Sequence, residues 1–182
     1  MTSVPRRHPF TVEEYYRVAD RGLARGGAKV ELIDGAIFDI TPQGPWHVEC
    51  VRLLSETLIR GVHAGERVYV QSTLRLSQWS APDPDIVVTR AGSKRWALPQ
   101  VGDILHVIEV ADTTIDYDLG TKVPLYERVG IPEVWVVDRE GRQVHVFRQS
   151  GAERGYGPAD IVRPPDRLSS CGVPVDLGSV FP

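Results

Sequence analysis

Ile104-Leu105-His106-Val107-Ile108-Glu109-Val110 is the most apolar run in this chain of 182 residues. Its reading decides the fold. A continuous apolar stretch of this length is expected as the central strand of a sheet, covered on both faces. The glutamate inside it needs a physical reason. An isolated buried carboxylate is costly, so Glu109 must have a partner, either a cationic side chain or a metal ion.

Working upstream, Ile86-Val87-Val88 suits a second, shorter buried strand. Ala81-Pro82-Asp83-Pro84-Asp85 before it cannot be interior strand, because its two prolines remove ladder donors. The stretch from Ala91 to Asp103 reads as a surface connection. Further back, RVYVQ and TLRLS read as two short strands. A longer helix is predicted from about Trp46 to Val62, with Val48, Val51, Leu54, Leu58 and Ile59 at helical spacing. Cys50 falls among its apolar positions as a small buried hydrophobe. Near the start, Thr11 and Glu14 form a capping box for a first helix that Gly22, Gly26 and Gly27 end. KVELI and AIFDI flank Asp34-Gly35, a hairpin signal. The alternation of Val30 and Leu32 with polar residues predicts one buried face.

Downstream, Asp116 to Val129 reads as a helix interrupted by Gly120 and Pro124. Proline inside a helix costs about 3 kcal/mol, so a kink or a later start is expected. Gly130-Ile131-Pro132 stops it. Glu133 to Asp138 and Gln143 to Arg148 form a hairpin across Arg139-Glu140-Gly141-Arg142. The tail is weakly patterned, with a short strand near Val173 to Val175 and a last turn near Leu177 to Phe181. This order of elements predicts an α/β (α+β) fold, a central mixed β-sheet flanked by helices, in one domain over residues 1–182.

Composition narrows the function. Charged residues at 25% and hydrophobic ones at 42% match a folded globular chain rather than a disordered one. No apolar run approaches the roughly 18–20 residues of a membrane span. The two arginines of MTSVPRRHPF precede no apolar stretch, so no secretory signal is expected and the cytoplasm is the default compartment. Cys50 and Cys171 make neither a disulfide framework nor a zinc pattern. A net charge of −3 argues against coating nucleic acid by bulk attraction. A few arginines and a divalent cation would still supply positive charge locally. The only lysines are Lys29, Lys94 and Lys122, mild evidence that an ammonium is wanted where one stands.

Asp85 opens one apolar strand and Glu109 lies near the end of another. Two carboxylates converging from neighbouring strands suit Mg²⁺, with Mn²⁺ as a substitute, because such ions take oxygen ligands and keep several waters. Lys122 follows Glu109 at a helix's distance. From a helix packed back on the sheet it would reach the water or the phosphate. Asp118, four residues earlier, and Tyr126, four later, continue its face. The bland alternatives are a structural ion pair between Glu109 and Lys122 and a turn-capping role for Asp85. Asp83 belongs to the loop. His8, His63, His106 and His145 read as surface or packing residues, Tyr126 and Trp135 as core. Arg52 and Arg60 read as a solvated helix face.

The run Glu109-Val110-Ala111-Asp112-Thr113-Thr114, then Asp116-Tyr117-Asp118, Lys122, Tyr126 and Gly130-Ile131-Pro132-Glu133-Val134-Trp135-Val136-Val137-Asp138, resembles the Uma family (Uma-two). So do Glu31-Leu32-Ile33-Asp34-Gly35, His47 near a helix start, and Pro84-Asp85-Ile86-Val87-Val88. The resemblance covers nearly all of the chain from Phe10 to Phe181. It implies a restriction-endonuclease-like, PD-(D/E)XK core in which Asp85 and Glu109 bind Mg²⁺ and a lysine assists the water. The position two after Glu109 is Ala111, not lysine; the family's lysine comes from the next helix, Lys122 here. Glu31 matches an acid that would add a metal ligand, and His47 a histidine that would contact phosphate. The Val110 carbonyl would serve as a further metal ligand. DNA is the implied substrate and a homodimer the implied assembly. The rival reading is a catalytically weak or inactive nuclease scaffold kept for nucleic-acid binding or dimerisation.

Overall fold

The computed structural model describes residues 8–19, 29–40, 42–90, 98–150 and 155–181. The chain divides into two compact units, one of Met1–Pro42 with Arg75–Pro82 and one of Gln43–Leu74 with Asp83–Pro182.

The smaller unit begins with α1 (Val12–Ala19). The capping box forms: Thr11 N–H donates to Glu14 Oε2 at 2.9 Å and Glu14 N–H to Thr11 Oγ1 at 3.2 Å. The glycines expected to end α1 lie outside the described residues. β1 (Val30–Ile33) and β2 (Ala36–Asp39) pair antiparallel across Asp34 and Gly35, both at positive φ, as an Asp-Gly hairpin turn demands. A Cβ on Gly35 would stand 2.4 Å from Pro9 Cβ, so only glycine fits. Val12, Tyr15, Val30, Leu32 and Ala81 form this unit's core. The expected single buried face is corrected: all of β1 is buried, Glu31 included. Leu32 bonds Ala81 on the edge away from β2, with Ala81 N–H donating to Leu32 O at 2.7 Å. This bridge on the second edge of β1 is something no alternation rule anticipates.

The larger unit carries a six-stranded sheet in the order β3 (Arg67–Val70), β4 (Ile86–Thr89), β5 (Ile104–Ala111), β6 (Glu133–Asp138), β7 (Gln143–Arg148), β8 (Asp160–Val162). Every pair is antiparallel except β5 with β6. A parallel pair needs a long crossover, and residues 112–132 supply it. The apolar run thus lies inside the sheet as expected, and Ile86–Thr89 is buried throughout. Of the connection from Ala91 to Asp103, residues 91–97 lie outside the described residues; Val101–Asp103 forms a short 3₁₀ turn.

One sheet face carries Ile86, Val88, Ile108, Val110, Trp135 and Val137, packed with Cys50, Val51, Leu54 and Leu58 of α2 (Pro45–Gly61). Fully burying one such side chain stabilises by about 1.5–3 kcal/mol. Two expected members fail, since Val48 and Ile59 are exposed. The buried stripe of α2 runs through His47, Cys50, Val51, Leu54 and Leu58, and the other two sit at its flanks. TLRLS is not a strand either. Leu74 and Leu76 are buried, but the amides of Leu76 and Ser77 turn back to the Ser80 carbonyl, so burial came without a ladder.

The crossover helix forms in three pieces: α3 (Ile115–Tyr117), a π turn (Asp118–Lys122) and α4 (Val123–Val129). Val123 N–H donates to Asp118 O, five residues back. Pro124 then occupies the first turn of α4, where a missing N–H costs least. The kink expected from Pro124 takes the form of a π turn, a feature common at functional sites. Gly130 closes α4 in the left-handed region, with φ of 79°.

In the tail, β9 (Arg167–Ser170) and β10 (Val173–Asp176) form a hairpin, followed by α5 (Leu177–Val180). The strand and last turn expected there are present. β8 and β9 were not anticipated, because Gly- and Pro-rich surroundings hide their short patterns. Among the described residues no helix is long and apolar enough to cross a membrane.

Candidate active site

The antiparallel register pairs Ile86 with Ile108. Asp85 therefore enters β4 at the end where Glu109 and Val110 complete β5. Its carboxylate is tied to that strand: Val110 N–H donates to Asp85 Oδ2 at 2.8 Å. His47, in the first turn of α2, brings Nε2 to 3.1 Å from both carboxylate oxygens. The Asp85 carbonyl accepts from Gln71 N–H at 2.8 Å, so main chain and side chain are both pinned. His47 is itself buried.

Side chains alternate along a strand, so Glu109 points away from Ile108 and Val110, towards the crossover helix. Tyr126 Oη donates to Glu109 Oε1 at 2.5 Å, and Lys122 Nζ to Oε2 at 3.2 Å. Lys122 Nζ also lies 4.0 Å from Asp118 Oδ1. Thr114 Oγ1 donates to Asp118 Oδ2 at 2.6 Å. The π turn thus carries Asp118 at its start and Lys122 at its end. Asp85, Glu109, Asp118 and Lys122 are all buried.

Burial pushes the Glu109 carboxyl well above the ordinary carboxylate range. The Lys122 ammonium pulls it back, the charges of Asp118 and Asp85 push it up again, and the Tyr126 hydroxyl favours the ionised form. A carboxylate so placed gains from any further positive charge brought to it.

Of the residues singled out in the sequence, Asp85, Glu109, Val110, Lys122 and His47 are gathered at one end of the sheet. Glu31 belongs to the smaller unit, buried on β1. Tyr126 was expected as core alone and does more. It is fully buried, yet its hydroxyl is committed to Glu109. The available signal was its spacing four residues after Lys122, together with the rule that a buried tyrosine hydroxyl finds a partner.

Among the described residues no three His, Cys, Asp or Glu side chains are grouped so as to hold a metal ion by themselves. The donor set nevertheless fits a hard divalent cation, because such an ion is satisfied by two carboxylates, a backbone carbonyl and water.

The mixed sheet flanked by helices, with acids at the ends of two neighbouring strands, matches the restriction-endonuclease-like core expected from the sequence. The Uma2 family model, described as "Putative restriction endonuclease", matches residues 12–178, and the chain belongs to that family. The crystal structure of a "putative nuclease belonging to DUF820" from Anabaena variabilis ATCC 29413 superposes with a TM-score of 0.68 at 15% identity. The match covers 95% of this chain and 98% of that one, which establishes the fold. No curated protein matches the chain.

Proposed function

We propose that this protein is a metal-dependent DNA endonuclease that hydrolyses phosphodiester bonds by in-line attack of water. The observation that carries the reading is the joining of Asp85 to the amide beside Glu109, with Lys122 bonded to Glu109 itself. Asp85, Glu109 and the Val110 carbonyl would hold Mg²⁺, or Mn²⁺ in its place. When bound, the ion polarises a phosphoryl oxygen and lowers the pKa of a coordinated water. The Lys122 ammonium orients the attacking water and offsets charge developing on the phosphate. Tyr126 holds the Glu109 carboxylate in one orientation. His47 steadies Asp85 from the other side and stands ready for a phosphate oxygen. A homodimer would present one such centre to each DNA strand, and light scattering in solution checks that assembly.

The direct test is plasmid nicking in Mg²⁺ or Mn²⁺ by wild type and Glu109→Ala. Wild type should nick and the variant should not; equal nicking by both ends the assignment. A second reading is a scaffold that binds without cutting. It is favoured by Ala111 at the usual lysine position and by the engagement of both Glu109 oxygens with protein donors. Calorimetry separates the two, since a binding module takes up no Mn²⁺.

A further inference from the structure

A second cluster stands beside the acids, in the same unit. Arg139 follows β6, and its amide donates to the Ala111 carbonyl at 3.1 Å. Its guanidinium Nη1 donates to Asp112 Oδ1 at 2.5 Å, and its Cζ lies over the Trp46 ring, 5.5 Å from the centroid. Trp46 in turn stacks on Phe181 at 6.0 Å. Gly44 lets this corner close, because a Cβ there would stand 2.5 Å from Asp112 Oδ2.

Two members are chain neighbours of the centre: Trp46 precedes His47, and Asp112 lies three residues beyond Glu109. Arg139 is thus anchored to the residues that follow Glu109 and Val110, at the end of β5 that carries the acids. Its side chain is 51% exposed, while that of Asp112 is 15% exposed. Asp112 engages one end of a group that has five donors in a planar fork, leaving capacity for a second anion. An aromatic face and a carboxylate together fix the fork's orientation beforehand, which lowers the ordering cost of binding. A surface ion pair kept only for stability contributes little and needs no such bracing.

We propose that Arg139, braced by Trp46 and Asp112, binds a backbone phosphate of the nucleic-acid substrate flanking the scissile one. This rests on the nuclease reading for its substrate, and it names a substrate-binding residue outside the acids and Lys122. It also accounts for how a chain of net charge −3 holds a polyanion through a placed cation rather than through bulk charge.

The test measures binding of a short fluorescein-labelled DNA duplex by anisotropy in EDTA, across a salt series, so that no cleavage or metal enters. Arg139→Ala should weaken binding by about tenfold or more and reduce the salt slope by about 1. Arg139→Lys should keep the slope and lose part of the affinity. Arg52→Ala, whose guanidinium pairs with Glu49 and Glu56 on exposed α2 surface, should bind as wild type. Wild-type affinity and slope in a folded Arg139→Ala protein would overturn the proposal, as would an equal loss in Arg52→Ala. If wild type nicks plasmid while Arg139→Ala binds normally, only this inference falls. If wild type neither binds the duplex nor nicks, both fall.

Discussion

β5 buries two ionisable side chains three residues apart, and the sheet treats them in opposite ways. His106 sits at the end nearer the start of the strand, on the face packed against α2. Its Nδ1 lies 2.6 Å from Ser170 Oγ, and its ring meets Trp135 edge-on at 4.6 Å. Burial, with the Arg148 charge adding to it, depresses its pKa to about 3, so it stays neutral. Glu109 sits on the opposite face among Lys122, Tyr126 and the charges of Asp118 and Asp85. A hydroxyl and an aromatic edge make a settled structural position. A cluster of charges around a carboxylate of raised pKa makes a site that another cation can change. Burial alone therefore does not mark function; the partners do.

The comparison breaks most visibly in activity. Glu109→Gln should lower nicking by about 10²-fold or more, while His106→Gln should cut like wild type once folded, both followed on supercoiled plasmid. Tyr126→Phe removes the hydrogen bond from its hydroxyl to the Glu109 carboxyl, worth about 1.5–3 kcal/mol for a carboxylate acceptor. Its nicking rate should fall by roughly tenfold or somewhat more, with Glu109 still present. A rate equal to wild type would return Tyr126 to the core and nothing else.

Stability against pH sharpens the contrast, because the two groups have opposite signs. The folded pKa of His106 lies below its ordinary value of 6.5, at about 3. The unfolded chain thus binds more protons between those values, and stability should fall as pH drops from 6.5 towards 3. Glu109 has a folded pKa raised above 4.5. Here the folded state binds more protons, so its contribution should fall as pH rises above 4.5. Urea unfolding across a pH series that runs below 4.5 and above 6.5 checks each sign. His106→Gln should flatten the acid side and Glu109→Gln the neutral side.

The central strand was legible because β5 is apolar almost throughout, and the Asp34-Gly35 and Arg139 to Arg142 turns carry their own chemistry. Asp85 and Glu109 were legible for a related reason, since charged groups set against apolar runs demand partners, and Lys122 through its place on the helix that follows Glu109. What stayed hidden depended on tertiary context. Nothing local shows that Leu32 has a second edge partner in Ala81, or that the amides of Leu76 and Ser77 are spent on Ser80. The helix period over Val48 and Ile59 is sound, but only the packed sheet decides where the stripe ends. Pro124 announced a disturbance, and the backbone chose a π turn to absorb it. Arg139 looked like hairpin punctuation, because its stacking on Trp46 joins residues far apart in the chain.

The most direct measurement is a diffraction experiment on crystals soaked in Mn²⁺, using the anomalous signal of the metal. An ion bridging Asp85 and Glu109, with Lys122 turned towards its water or a phosphate oxygen, is the expected result. Protein loaded with Mn²⁺ elsewhere, with Glu109 still closed on Lys122 and Tyr126, would contradict the account.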